Sequence, residues 1–194
     1  MIDMRRRLLY TICLLIQMVK RPLLLVMVCC WMQAGSCQQT NATDFTRLTL
    51  KEAVKEGNIN KFNTCLKAKQ DLTEPDKDGN TLLHWACGDT KSTMGNEKAT
   101  QDRIAIIEKL LRGGIDINAA GYNGWTALHF AVNEACKKTY KKEKEAYIKV
   151  INVLLKEGAT KNCKDIHGYT PLYYAYTMND QEIITFLKNK KATL

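Results

Sequence analysis

No apolar run in this chain reaches the roughly 18 residues that a membrane-spanning helix requires. The two longest, Leu8 to Val19 and Leu23 to Trp31, are separated by Lys20-Arg21-Pro22. Also missing are a G-x-S-x-G elbow, a glycine-rich phosphate loop followed by lysine, and an H-E-x-x-H helix. An enzyme would therefore have to work without a recognisable nucleophile and base, and no catalytic residue is assigned. Zinc ligation asks for cysteines and histidines at close ligand spacing. Here Cys65, Cys87, Cys136 and Cys163 stand 22, 49 and 27 residues apart, so neither a metal nor another cofactor is expected. Charge of one sign is also modest. The formal net charge is +9, but Arg5, Arg6, Arg7, Lys20 and Arg21 account for much of it. From residue 38 onward 24 basic residues face 19 acidic ones. With no recognition motif either, nucleic acid is not an expected partner.

What the chain does have is a repeat. Gly79-Asn80-Thr81-Leu82-Leu83-His84-Trp85-Ala86 returns as Gly124-Trp125-Thr126-Ala127-Leu128-His129-Phe130-Ala131 and as Gly168-Tyr169-Thr170-Pro171-Leu172-Tyr173-Tyr174-Ala175. The glycines step by 45 and 44 residues, and self-similarity on that scale marks stacked supersecondary units. The pattern G-x-T-x-L-H-x-A resembles the ankyrin repeat, whose signature contains T-P-L-H-x-A. The resemblance spans residues 49–194 and implies an all-α ankyrin-repeat solenoid of four helix-turn-helix repeats, 49–75, 76–120, 121–164 and 165–194. It also implies a non-enzymatic protein-binding scaffold.

Each unit has local reasons for its shape. Thr49-x-x-Glu52 has the spacing of a capping box, so helical structure is expected to begin there, after a linker at 38–48. Asp76-Lys77-Asp78-Gly79-Asn80-Thr81 is turn chemistry, with a glycine for positive φ and a threonine to cap the next helix. The second helices show apolar residues at spacings of three and four: Ile104, Ile106, Ile107, Leu110 and Leu111, then Tyr147, Ile148, Ile151, Leu154 and Leu155, then Ile183, Ile184, Phe186 and Leu187. Pro171 falls in a first helical turn, where it is tolerated. In the family, the framework is carried by Gly79, Thr81, His84, Gly124, Thr126, His129, Gly168 and Thr170. Tyr173 replaces the third histidine, which puts that backbone link in doubt in the last repeat.

Spacing also shows a departure. From the motif histidine position to the closing apolar pair is 14 residues in the outer repeats but 26 and 25 in the middle two. The middle repeats thus carry inter-helix insertions of 11 or 12 residues, and equivalent insertions in a stack are expected to lie side by side.

Surface expectations follow from the turns. Lys77, Asn80, Tyr122, Asn123, Trp125, Ile166, His167 and Tyr169 occupy variable turn positions and form a candidate partner-binding set, aromatics being favoured hot spots. Packing between neighbouring turns is the competing role for their rings. Lys137, Lys138, Lys141 and Lys142 form the densest basic run, read either as a solvated helix or as a contact for an acidic partner. Cys65 and Cys87 fall on core positions. A Cys136–Cys163 bridge is conceivable if the chain is exported, though pairing is not deducible from sequence.

Residues 1–37 have the order of a secretory signal, with Lys20 and Arg21 ahead of an apolar stretch and Ala34-Gly35-Ser36 before Cys37. Met18 is a second candidate start. An uncleaved N-terminal anchor and lipidation at Cys37 are the alternatives, and in those cases alone would the chain meet a membrane. Asn41-Ala42-Thr43 is a sequon for glycosylation of Asn41 if the chain enters a eukaryotic secretory route. The expectation is a secreted or extracytoplasmic binding protein, or one membrane-anchored through its N-terminus. A second reading is an exported effector or inhibitor that mimics an ankyrin regulator inside a host cell.

Overall fold

The computed structural model describes residues 42–66, 71–88 and 96–194. The signal-like segment, Cys37 and Asn41 lie outside the described residues. Among the described residues eight α-helices make four pairs: α1 (Ala42–Glu56) with α2 (Ile59–Leu66), α3 (Leu82–Cys87) with α4 (Glu97–Arg112), α5 (Ala127–Lys137) with α6 (Lys141–Lys156), and α7 (Pro171–Thr177) with α8 (Gln181–Asn189). A 3-10 turn covers Tyr122–Gly124. First helices pack on first helices, α3 on α5 and α5 on α7, while α2, α4 and α6 adjoin in a second row. This is an all-helical solenoid of four helix pairs, and residues 43–194 form one compact unit.

The threonines that recur in the sequence occupy equivalent places. Thr81, Thr126 and Thr170 each precede a first helix with extended backbone, at φ/ψ of −81/169°, −88/168° and −91/165°. Pro171 takes the first helical position, where the lost N–H has no partner to serve. At the other end of the repeats, Gly114 and Gly158 close the second helices with φ of 88° and 100°. Lys191 adopts φ 60° at the matching place in the last repeat, a conformation that costs a side chain about 1 kcal/mol.

Between the two rows lies the core. Leu50, Val54, Phe62, Leu83, Ile106, Ile107, Leu110, Leu128, Val132, Tyr147, Val150, Ile151, Leu154, Leu172, Ile183, Ile184 and Leu187 are all buried. Each truncation there would cost about 2–5 kcal/mol. In the second, third and fourth repeats one member of the closing apolar pair turns fully inward, Leu110, Leu154 and Leu187, while Leu111, Leu155 and Phe186 stay half-buried, as do both Cys65 and Leu66 in the first. Successive helical residues point about 100° apart, so one face cannot take both.

Three expectations change. Helix α1 begins at Ala42, so residues 42–48, read as linker, are helical, and Thr49 sits within the helix instead of at its start. The capping-box spacing is present, but the helix has already begun. In the third repeat the extra residues do not form a loop: α5 is 11 residues against 7 in α7, and α6 is 16 against 9 in α8. Helix α4 is likewise 16 residues long. The two lengthened segments do lie side by side, joined by a Lys149 Nζ to Glu97 Oε2 ion pair at 2.7 Å and by the Tyr147 hydroxyl donating to the Gly88 carbonyl at 3.4 Å. Finally, Ile104 is only half-buried, and its neighbour Arg103 takes the inward position.

Arg103 is fully buried. Its guanidinium donates to the carbonyl of Ala86 at 2.8 Å and of Lys55 at 3.1 Å, near the C-terminal ends of α3 and α1. Those carbonyls have lost their helical partners, and a cation suits the negative end of a helix. Burial pushes the Arg103 pKa down, opposed by the nearby Tyr147 and Cys87. Gly57 makes room for it: a Cβ there would stand 2.8 Å from the guanidinium, and the φ of 65° already favours glycine.

Candidate protein-binding surface

The candidate surface is built from the turns that precede α3, α5 and α7. In the first of these the Asp76 carboxylate accepts the amides of Asp78 at 3.1 Å and Asn80 at 2.9 Å through Oδ1. Asp165 repeats this with the amides of His167 and Tyr169, at 2.8 and 2.9 Å. The second oxygen of each aspartate ties two repeats together. Asp76 Oδ2 receives Lys51 Nζ of the preceding repeat at 2.8 Å and Trp85 Nε1 of its own at 3.0 Å. Asp165 Oδ2 receives Trp125 Nε1 of the preceding repeat at 3.2 Å and the Tyr174 hydroxyl of its own. For both, burial alone would raise the carboxyl pKa, but these donors outweigh it and hold each below the usual range. Burial and then the bond to Asp165 push the Tyr174 phenol up to about 12.

The middle turn has Gly121 where its neighbours have aspartate. Asn80 reaches across from the preceding turn and accepts the Tyr122 amide at 3.0 Å. A Cβ on Gly121 would collide with that Asn80 oxygen and stand 3.0 Å from His84 Nε2, so the crossing bond and the missing side chain go together.

The histidines form the second set of links. His84 Nδ1 accepts the Thr81 amide at 3.0 Å, which leaves Nε2 to donate to the carbonyls of Ala119 and Trp125, 3.1 and 2.9 Å away. His129 does the same, with the Thr126 amide at 3.1 Å and the Tyr169 carbonyl at 3.2 Å. An amide can only donate, so Nδ1 must be unprotonated and both rings neutral. Burial lowers both pKa values, opposed by the carbonyl bonds. Each histidine therefore holds the turn of the following repeat. Tyr173, at the same position in the fourth repeat, stacks on Tyr169 at 4.0 Å, and the Thr170 hydroxyl donates instead to the Thr193 carbonyl.

The eight turn residues expected to meet a partner divide into two groups. Lys77, Tyr122, Asn123, Ile166, His167 and Tyr169 are exposed at the turn tips, Tyr122 by 59% and Ile166 by 67%. Asn80 is 5% exposed and its side chain is committed to Tyr122, so it is a framework residue. Trp125 is half-buried, donates to Asp165 and Tyr174, and packs against Phe130 and Tyr174 at ring distances of 5.3 and 4.8 Å. It pins one repeat to the next and is not a free aromatic at a tip. The second and third tips are tied to each other, since the Ile166 amide donates to the Asn123 carbonyl at 3.1 Å.

The basic run is largely paired within the chain. Lys137 and Lys138 meet the buried Glu134 at 2.6 and 3.9 Å, Lys141 meets Glu145 at 3.9 Å, and Lys144 meets Asp180 at 2.7 Å. Among the described residues Lys142 forms no ion pair. Cys136 and Cys163 are free thiols, as are Cys65 and Cys87. Burial pushes Cys87 and Cys136 up to about 12, so both are poor nucleophiles at neutral pH.

Several residues that hold the turns escaped sequence reading. Besides Arg103, Asn118 accepts the Thr160 amide at 2.7 Å and Asn162 accepts the Thr193 amide at 2.8 Å. Asn118 and Asn162 are 44 residues apart, so the repeat period itself was the signal that could have found them.

Stacked helix pairs, turns of one design and hydrogen bonds passed from repeat to repeat define a helical-repeat scaffold. The ankyrin family, described as "Ankyrin repeats (3 copies)", matches residues 50–165 and 97–194, and the chain belongs to that family. It is 28% identical over 158 residues to the ankyrin repeat protein FPV034 of fowlpox virus (strain NVSL), covering 81% of this chain and 32% of that one. To the B-cell lymphoma 3 protein of Homo sapiens it is 31% identical over 105 residues, 54% of this chain and 19% of that one. The NAD-dependent deacetylase sir2B of Dictyostelium discoideum is 24% identical over 149 residues, 77% of this chain and 18% of the enzyme. The chain thus spans about a third or less of these relatives, and the match to the enzyme is one of repeats. Ankyrin repeats act in general as protein-binding, non-enzymatic scaffolds.

Proposed function

We propose that this chain is a secreted or surface-held binding protein that grips a protein partner with its turn tips. The single observation that carries the reading is a division of labour along the turns. Asp76, Asn80, Trp125 and Asp165 spend their polar groups on joining repeats, whereas Tyr122, Ile166, His167 and Tyr169 present apolar and aromatic surface to solvent. Preset aromatic tips lose little entropy on contact, which favours affinity. Export is supported by Lys20-Arg21 ahead of the Leu23 to Trp31 stretch.

A second reading, an exported effector that mimics an ankyrin regulator inside a host cell, draws support from simultaneous likeness to a poxvirus ankyrin protein and to the human B-cell lymphoma 3 protein. Mass spectrometry of the native N-terminus, with fractionation of the source cells, separates the two. A cleaved chain confined to the medium favours the first reading, and recovery from the interior of a second cell type favours the other. For the surface, photo-crosslinking residues at positions 122, 166 and 169 should capture one protein that probes at 101 and 182 do not. Tyr122→Ser with Tyr169→Ser should then weaken its binding by about tenfold or more with an unchanged melting curve. Equal capture at all five positions, or unaltered affinity, would refute the tip surface.

A further inference from the structure

Three open grooves on the described surface differ in the charge that lines them. Asn96, Glu97, Thr100, Lys142, Glu145, Ala146 and Lys149 line the first, and Glu108, Arg112, Asp116 and Glu157 are among those lining the second, so each mixes cations with carboxylates. The third, an open groove of about 670 Å³, runs from the last turns of α6 past the following loop to the end of α8. Lys156, Lys161 and Lys190 line it, and no carboxylate side chain does.

None of these three lysines is in an ion pair among the described residues. The Lys161 ammonium donates to the Lys190 carbonyl at 3.1 Å, which keeps a cation at the groove wall, and the Lys190 ammonium lies 5.6 Å from the centre of the Phe186 ring. Asn162 lends its carbonyl oxygen to Thr193, fixing one side of the wall to the chain end. Leu155 and Ala159 give the groove an apolar floor, and Asn152 and Thr160 add polar groups suited to a peptide backbone. Elsewhere on the same helix Lys141, Lys144 and Lys149 pair with Glu145, Asp180 and Glu97, and Lys142, which has no ion pair among the described residues, lines a groove that also holds Glu97 and Glu145. The groove at Lys156, Lys161 and Lys190 thus gathers cations with no carboxylate side chain in its lining.

The geometry points to a second docking site in this groove, for an acidic segment of a protein whose carboxylates meet Lys156, Lys161 and Lys190 while an aliphatic side chain rests on Leu155 and Ala159. Complementary charge sets the register of such a contact and speeds its formation. An apolar floor without an aromatic stacking platform suits a polypeptide better than single-stranded nucleic acid, which needs rings for its bases. The site is separate from the turn tips, so either can fail without the other.

The test uses the 194-residue chain and a fluorescein-labelled peptide of glutamates with leucine at every third position, read by fluorescence anisotropy. Lys156→Gln with Lys161→Gln and Lys190→Gln should weaken binding by about tenfold or more, while the matching arginine variant retains it. Lys77→Gln with Lys98→Gln and Lys142→Gln removes the same charge elsewhere and should leave binding within about twofold. Equal weakening by both glutamine sets would overturn the proposal, as would no binding by the unaltered chain. So would displacement by inorganic phosphate indifferent to the leucines, which describes a plain anion site, or tighter capture of oligouridylate RNA. Amide chemical shifts in the unaltered chain give an independent reading: peptide-induced changes should centre on Leu155, Ala159 and Thr160, and changes centred on Tyr122 and Tyr169 would contradict the site.

Discussion

Replacing Trp125 separates a residue that holds repeats together from one that waits for a partner. The indole packs on Phe130 and Tyr174 and gives its N–H to Asp165, so its removal takes away both ring packing and a donor to a buried carboxylate. Fully buried Trp→Ala changes cost about 3–5 kcal/mol, and a half-buried ring should fall near the lower end. A hydrogen bond to a charged group is worth about 1.5–3 kcal/mol, but Asp165 keeps the Tyr174 hydroxyl and two amides, so this bond should make up only about 1 kcal/mol of that total. Trp125→Ala should therefore cost about 3 kcal/mol and Trp125→Phe, which keeps most of the packing, about 1 kcal/mol. In a chain of this size 3 kcal/mol lowers the Tm by about 6–12 °C. Urea unfolding followed by circular dichroism at fixed pH measures both, with Tyr122→Ala at an exposed tip expected within about 0.5 kcal/mol of the parent. A Trp125→Ala cost below about 0.5 kcal/mol would show that the indole is a free surface group and would refute the reasoning.

Stability should fall on acidification in two stages. The pKa values of His84 and His129 are lowered on folding, so above about pH 6.5 their contribution is complete, and it is lost as the unfolded chain takes up protons below that value. A second loss should begin near pH 3.8, where unfolded Asp76 and Asp165 protonate ahead of their folded counterparts. Urea midpoints between pH 8 and pH 3 check this, and a midpoint that rises from pH 7 to pH 5 would contradict it. Gly121→Ala should destabilise by about 2 kcal/mol, because the new Cβ forces Asn80 from the Tyr122 amide and leaves it unpaired. The double variant Gly121→Ala with Asn80→Ala should recover part of the loss, and a strictly additive cost would show that the two do not meet.

The fold was legible because period and cap chemistry reinforce one another. Thr81, Thr126 and Thr170 signal helix starts on local grounds, and the recurrence of Gly79, Gly124 and Gly168 says that the units stack. Thr49 misled because capping-box spacing can occur inside a helix that began earlier, here at Ala42. Surface and framework residues were harder to tell apart. Asn80 and Trp125 stand at variable positions within one repeat, but their burial is decided by the neighbouring turn, which no single repeat encodes. Arg103 was invisible for a related reason. An apolar stripe is the expected sign of a buried face, yet two carbonyls at helix ends made a cation the better fit there. The histidine links point forward, from His84 to the turn before α5 and from His129 to the turn before α7, a direction that no single repeat shows.

The central claim is that each repeat fastens the next through polar side chains reaching the following turn. Nitrogen-15 NMR of the histidine rings tests it most directly. His84 and His129 should both be neutral with the proton on Nε2, slow to exchange, and titrating below the ordinary histidine value of about 6.5. Nδ1-protonated rings, or fast exchange at Nε2, would mean that the turns are not held from behind and that the stack owes its order to something else.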